Sequence, residues 1–216
     1  MKRYVFLMAL TIAILAAAVF SYPVLAHRPY FEEVDATVDD PWVIDDPTIS
    51  TAVYATLALP SDVDYFAFDG QSGQSILLEM TIPQIEGQEA FAPTMALFGP
   101  GLDFNGEPGS IEQPAGDGWL VLPPPVGTPP EFYEPFSRTS YWERQSQRVT
   151  LPANGTYVVA VWHEQGDLGR YTFVIGDKER LGGDLGFPVK LDKYWTPVAQ
   201  PVADAPAAHV GCAAGH

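Results

Sequence analysis

From Thr51 to Leu59 the chain alternates between two faces, with Val53, Ala55, Leu57 and Leu59 on one and Ala52, Tyr54, Thr56 and Ala58 on the other. A period of two marks a strand, because successive Cβ atoms of a pleated chain point to opposite sides. Pro60-Ser61-Asp62 breaks the pattern, Tyr65-Phe66-Ala67-Phe68 resumes it with Phe66 and Phe68 on one face, and Asp69-Gly70 turns the chain again. From Ser75 to Ile82, Ile76, Leu78, Met80 and Ile82 point one way, and Ser75, Leu77, Glu79 and Thr81 point the other. Further strands are predicted at Thr94–Phe98, Trp119–Leu122, Gln147–Leu151, Thr156–Trp162 and Arg170–Ile175, each bounded by Gly, Pro or Asn-Gly. The last two, separated by His163 to Gly169, are predicted to form one hairpin. No alternating helix pattern supplies the crossovers of a parallel sheet, so the expected fold is all-β, an antiparallel β-sandwich of jelly-roll type.

Three stretches depart from that pattern. Lys2 and Arg3 precede an uncharged run from Tyr4 to Ala26 that ends Val24-Leu25-Ala26, which predicts a signal-peptide helix over residues 1–26, cleaved after Ala26. The alternative is an uncleaved membrane anchor, since the run approaches the roughly 20 residues that cross a bilayer. Between Gly99 and Arg148 the composition shifts to Gly, Pro and aromatic residues, which predicts a packed insertion in a single sandwich domain spanning 27–196. Residues 197–216 are Pro/Ala-rich and without period, as expected of a flexible tail.

Charge narrows the partners. The chain has 11 Lys+Arg against 27 Asp+Glu, a formal −16, and removing residues 1–26 takes away two cations and no acid, leaving −18. Such a surface repels phosphate backbones and anionic lipid heads, so no nucleic-acid partner is expected, and membrane contact only through an uncleaved N-terminal segment. An exported chain meets oxidising conditions, yet Cys212 is the only cysteine, so no internal disulfide can close.

Asp62-Val63-Asp64-Tyr65-Phe66-Ala67-Phe68 with Gly73-Gln74-Ser75-Ile76-Leu77-Leu78 resembles the opening strands of bacterial pre-peptidase C-terminal-like domains. Pro93-Thr94-Met95-Ala96-Leu97-Phe98-Gly99-Pro100-Gly101 is similar to that family's next strand and turn. Gly155 to Val161 and Gly169 to Ile175 are similar to its closing hairpin, in the same order and spacing. The resemblance implies a small secreted sandwich serving as an accessory module, often beside peptidases and sometimes with calcium or carbohydrate contacts; it does not imply catalysis. The chain departs from the pattern in carrying no peptidase domain, in its Gly99–Arg148 insertion and in an Arg28–Ser50 stretch without a match.

Candidate chemistry follows from residue types. A cut after Ala26 leaves His27 first, and its free α-amine and imidazole can chelate copper, with His163 as the second histidine outside the tail; a solvated loop His163 is the plain alternative. Asp39, Asp40, Asp45 and Asp46, with Glu32, Glu33 and Asp35 upstream, offer oxygen ligands for calcium, although turn capping and edge solubility also use Asp-Asp-Pro repeats. Asp62 and Asp64 are read as turn caps. His209, Cys212 and His216 could hold copper or zinc from the tail, three ligands where a closed site takes four. Tyr141, Trp142 and Trp162 could stack on sugar rings or simply pack. No Gly-x-Ser-x-Gly, His-Glu-x-x-His or nucleotide-binding glycine loop occurs. The expected function is an exported, periplasmic or extracellular, non-catalytic binding or accessory module contacting a protein or extracellular polymer through its loops. The alternative is a periplasmic copper-binding protein using His27 and His163.

Overall fold

The computed structural model describes residues 27–115, 118–135 and 137–199. The predicted signal segment, most of the tail and the candidate ligands His209, Cys212 and His216 lie outside them. Eleven strands and one helix follow in order: β1 Arg28–Phe31, β2 Trp42–Ile44, β3 Thr51–Leu57, β4 Val63–Gly70, β5 Ser75–Pro83, β6 Thr94–Phe98, β7 Trp119–Leu122, β8 Glu131–Glu134, β9 Thr139–Thr150, β10 Gly155–Trp162, β11 Gly169–Ile175 and α1 Phe187–Tyr194. One sheet runs β1-β3-β11-β5-β9-β8 and the other β2-β4-β10-β6-β7.

The sandwich is built by the alternation. Val53, Ala55 and Leu57 of β3, Phe66 and Phe68 of β4, Ile76 to Ile82 in steps of two on β5, Tyr157 to Val161 on β10 and Tyr171 to Ile175 on β11 share one buried cluster between the sheets. Most are fully excluded from solvent, at about 1.5–3 kcal/mol for each large apolar side chain. Gly155 has φ +151°, which suits glycine at the turn into β10, where Asn154 Oδ1 accepts from Ser72 N at 2.7 Å.

Four features depart from the expectations. β10 and β11 do not form a hairpin: β10 pairs with β4 and β6, β11 with β3 and β5, so residues 163–168 cross from one sheet to the other. The sheets are mixed rather than purely antiparallel, because the unmatched Arg28–Ser50 stretch supplies β1, parallel to β3, and β2, parallel to β4. Residues 32–50 form a connection long enough for β3 to lie parallel to β1. The Gly99–Arg148 insertion carries, besides the expected β7, the strand β8 and most of β9. Finally, α1 covers the outer face of the six-stranded sheet, where Phe187, Leu191 and Tyr194 bury Ala52, Tyr54 and Val174. Pro188 in its first turn is a helix-start signal.

A bulge in β9 places Arg144 and Gln145 opposite Met80, since pairing steps from Glu79↔Ser146 to Thr81↔Glu143. Both side chains turn inward, where Arg144 donates to the carbonyls of Phe91 and Glu89 and Gln145 Nε2 to those of Pro93 and Leu122. The bulge thereby satisfies loop carbonyls that burial would otherwise leave unpaired.

Candidate functional site

At one end of the core the alternation of β4 continues past Phe66 to Asp64, which is 1% exposed between the sheets. Tyr171 of β11 lies across from it and donates its hydroxyl to Asp64 Oδ2 at 2.5 Å. The other carboxylate oxygen, Oδ1, is buried without a hydrogen-bond partner. Glu32, immediately after β1, approaches from the side: its oxygens accept from Ala36 N at 3.2 Å and Thr56 N at 3.4 Å. The turn so formed is anchored to β4 by Tyr65 N donating to Ala36 O at 2.8 Å. Asp35, exposed on that turn, completes a trio: one oxygen each from Glu32, Asp35 and Asp64 lie within 4.8 Å of one another.

Three acids so close cannot all be charged in a dry environment without a counter-charge. Desolvation, reinforced by the charge of Glu32, raises the Asp64 carboxyl to about 9 although the Tyr171 hydrogen bond opposes it. Desolvation likewise lifts Glu32 to about 7 against its two amide donors and a hydrogen bond with the Asp64 carboxyl. Asp35 is raised by burial and by Asp62. The donor set is all oxygen, the class that hard cations take. With Ca–O distances of roughly 2.4 Å, oxygens on opposite sides of a calcium ion stand about 4.8 Å apart, and the three oxygens lie within that limit of one another.

The neighbouring loops enclose a cleft of about 690 Å³ between Asp35–Asp39, Pro60–Val63, Gly109–Glu112 and Trp162–Glu164. Tyr65 and Trp162 line it; the Tyr65 hydroxyl donates to Glu112 O at 2.5 Å and Trp162 Nε1 to Glu164 Oε1 at 3.0 Å.

The residues singled out from sequence fall in several places. His27 and His163 line different cavities: His27, bonded to Ser50 Oγ through Nδ1, borders a hollow of about 290 Å³ beside β8 and β9, whereas His163 lines the acidic cleft. His163 Nδ1 accepts from Asp167 N at 3.0 Å, so the proton of the neutral ring sits on Nε2. A metal-bound imidazole instead donates from the nitrogen away from the metal. Asp39 borders the cleft, Asp40 is exposed with its N–H donating to Thr37 Oγ1, Asp45 is exposed, and Asp46 caps its turn by accepting from Thr48 N and Oγ1, which hold its carboxyl below the usual range. Among the described residues these four form no ligand group with one another. Tyr141 and Trp162 are 3% and 4% exposed, and Trp142 packs against the main core. Asp62 caps as expected, accepting from Ala58 N at 2.6 Å. Asp64 does not cap; its place in the period with Phe66 and Phe68 is the signal that marks it as buried.

No family model matches the chain, and no curated protein matches it. Solved structures similar to it include PliG of Aeromonas hydrophila, a periplasmic inhibitor of g-type lysozyme, with TM-score 0.37 and 11% identity over 70% of this chain and 98% of that one. The pre-peptidase C-terminal domain of a Bacillus anthracis collagenase aligns with TM-score 0.35 and 11% identity over 67% and 99%. CorA of Methylomicrobium album BG8, a surface-associated copper-binding protein, aligns with TM-score 0.30 and 9% identity over 70% and 98%. At these scores no role passes from those proteins to this chain, and the functional reading rests on its own geometry.

Proposed function

We propose that the chain is an exported, non-catalytic binding module that contacts a protein or extracellular polymer through the loops at the Asp64 end of its sandwich. A hard divalent cation of the calcium class, held by Glu32, Asp35 and Asp64, locks those loops. Export is supported by Lys2, Arg3 and the uncharged run to Ala26. The observation that carries the cation reading is Asp64 Oδ1, an acid oxygen sealed in the core beside the carboxyls of Glu32 and Asp35, where a shared proton or a bound cation must pair it. The ion would join the 32–36 turn that follows β1 to β4, two elements distant in sequence, and so fix the rim of the cleft.

Thermal melting of the mature chain tests this. Calcium should raise the midpoint, magnesium should do so far less because it dehydrates reluctantly and demands tighter geometry, and the calcium response should vanish in Glu32→Gln/Asp64→Asn. No calcium response in the native chain, or the same response in the double variant, would overturn the reading.

A further inference from the structure

The chain contains two asparagines, Asn105 and Asn154, and each is followed by glycine. That pairing is chemically labile, because a residue without a Cβ lets its backbone nitrogen approach the preceding side-chain amide. Sequence treats the two alike, and both are exposed, but the fold separates them. Asn154 is held: its Oδ1 accepts from Ser72 N at 2.7 Å, and Gly155 opens β10 in register with Gly70 of β4. Asn105 lies in the loop before β7, where its backbone N–H donates to Trp119 O and its carbonyl accepts from Val121 N, both at 2.9 Å. Among the described residues, neither its side-chain amide nor the Gly106 N–H makes a hydrogen bond, and Gly106 takes a left-handed φ of +82°. The strand that holds the Asn105 backbone is a sheet edge, where local opening costs least.

We propose that Asn105-Gly106 is a site of spontaneous modification in the folded chain, while Asn154-Gly155 is protected. Gly106 N loses its proton and bonds to Asn105 Cγ, the Cγ–Nδ2 bond breaks, and Nδ2 takes up a proton and leaves as ammonia. Water then opens the cyclic imide at one of its two carbonyls, giving aspartate or isoaspartate, and no oxidant or further reactant is needed. Either product adds a negative charge to a chain already rich in acid. Isoaspartate also routes the main chain through Cγ and displaces the carbonyl that Val121 N uses. The change falls beside Trp119, whose Nε1 donates to Gly106 O at 2.9 Å and whose ring meets that of Phe104 at 4.5 Å. This chemistry requires neither the cation nor a binding partner.

The mature chain is incubated in mildly alkaline buffer made with heavy-oxygen water, then digested, and its peptides are followed over time by mass spectrometry. Each conversion exchanges the amide nitrogen for a solvent oxygen, so the label marks the residue that reacted. Conversion at Asn105 should outpace that at Asn154 by about fivefold or more, because Asn154 must first give up a hydrogen bond worth about that factor. In denaturant, where neither loop persists, the two rates should converge. Asn105→Gln should abolish conversion at its own site and leave the Asn154 rate unchanged. In the native chain the Trp119 indole N–H resonance should shift with the time course of conversion. Equal or faster conversion of Asn154 in the folded chain, or an equally wide gap in denaturant, would overturn the proposal.

Discussion

Asp64 sits where the alternation of β4 reserves a place for the core, and its neighbours on that face are Phe66 and Phe68. A carboxyl there can stay neutral, or it can be charged and paired with a cation; the geometry admits both, and pH selects between them. Because Glu32 and Asp64 are raised to about 7 and about 9, the cation-free fold holds protons that the unfolded chain releases near pH 4. Its stability therefore falls as pH climbs from about 4 to about 9, and below that window the effect is gone. Asp64→Asn keeps an acceptor for Tyr171 and removes the titration. Without calcium, the melting point of this variant relative to the native chain should move in favour of asparagine between pH 5 and pH 9. A constant difference across that range would show that Asp64 is not the titrating group. The alternation of β4 carries the signal of Asp64's burial, although its position beside Asp62 favours a turn cap, which is how the sequence alone reads it. The approach of Glu32 and Asp35 was not readable, because it depends on a turn whose anchor is the Tyr65 amide, far along the chain.

Among the elements, the pattern predicted the strands most fully buried on one face, β3 to β6, β10 and β11, together with the half-buried β7 and the C-terminal end of β9. β1, β2 and β8 run three or four residues at sheet edges, where a period is hard to recognise; β7, as short and also at an edge, is marked by its unbroken apolar run Trp119-Leu120-Val121-Leu122. The hairpin expected at β10–β11 fails for a related reason: a short Gly-containing loop suits a hairpin and a passage between sheets equally, and local pattern does not say which sheet a strand joins. That passage matters for the site, since it carries His163 and Glu164 to the cleft. Gly166 makes it possible, with φ +74° and a position where an added Cβ would lie 2.8 Å from Pro60 O. Gly166→Ala should cost about 1–3 kcal/mol, by left-handed backbone strain and by pushing the loop off the Pro60 rim. Chemical denaturation reads the loss. A variant as stable as the native chain would mean that the loop does not press on that rim.

For the molecule as a whole, an excess of acid is the dominant physical fact. The expected mature charge of −18 destabilises the compact state through self-repulsion and favours bound cations, from protons in the trio to a divalent ion. Proton and calcium compete for the same oxygens, so the calcium-induced rise in melting point should grow from pH 5 to pH 8 and calcium binding should release protons, measurable as buffer-dependent heat in titration calorimetry. A rise that shrinks with pH would contradict that competition. The residues that form the trio come from distant parts of the chain, which is why composition could exclude anionic partners while the place of cation binding had to come from the fold.

The most direct measurement is the anomalous difference density of a crystal of the mature chain grown with calcium. The account predicts a peak coordinated by Glu32, Asp35 and Asp64; density confined to the Asp39–Asp46 segment, or none in a crystal where Asp64 remains sealed beside Tyr171, would contradict it.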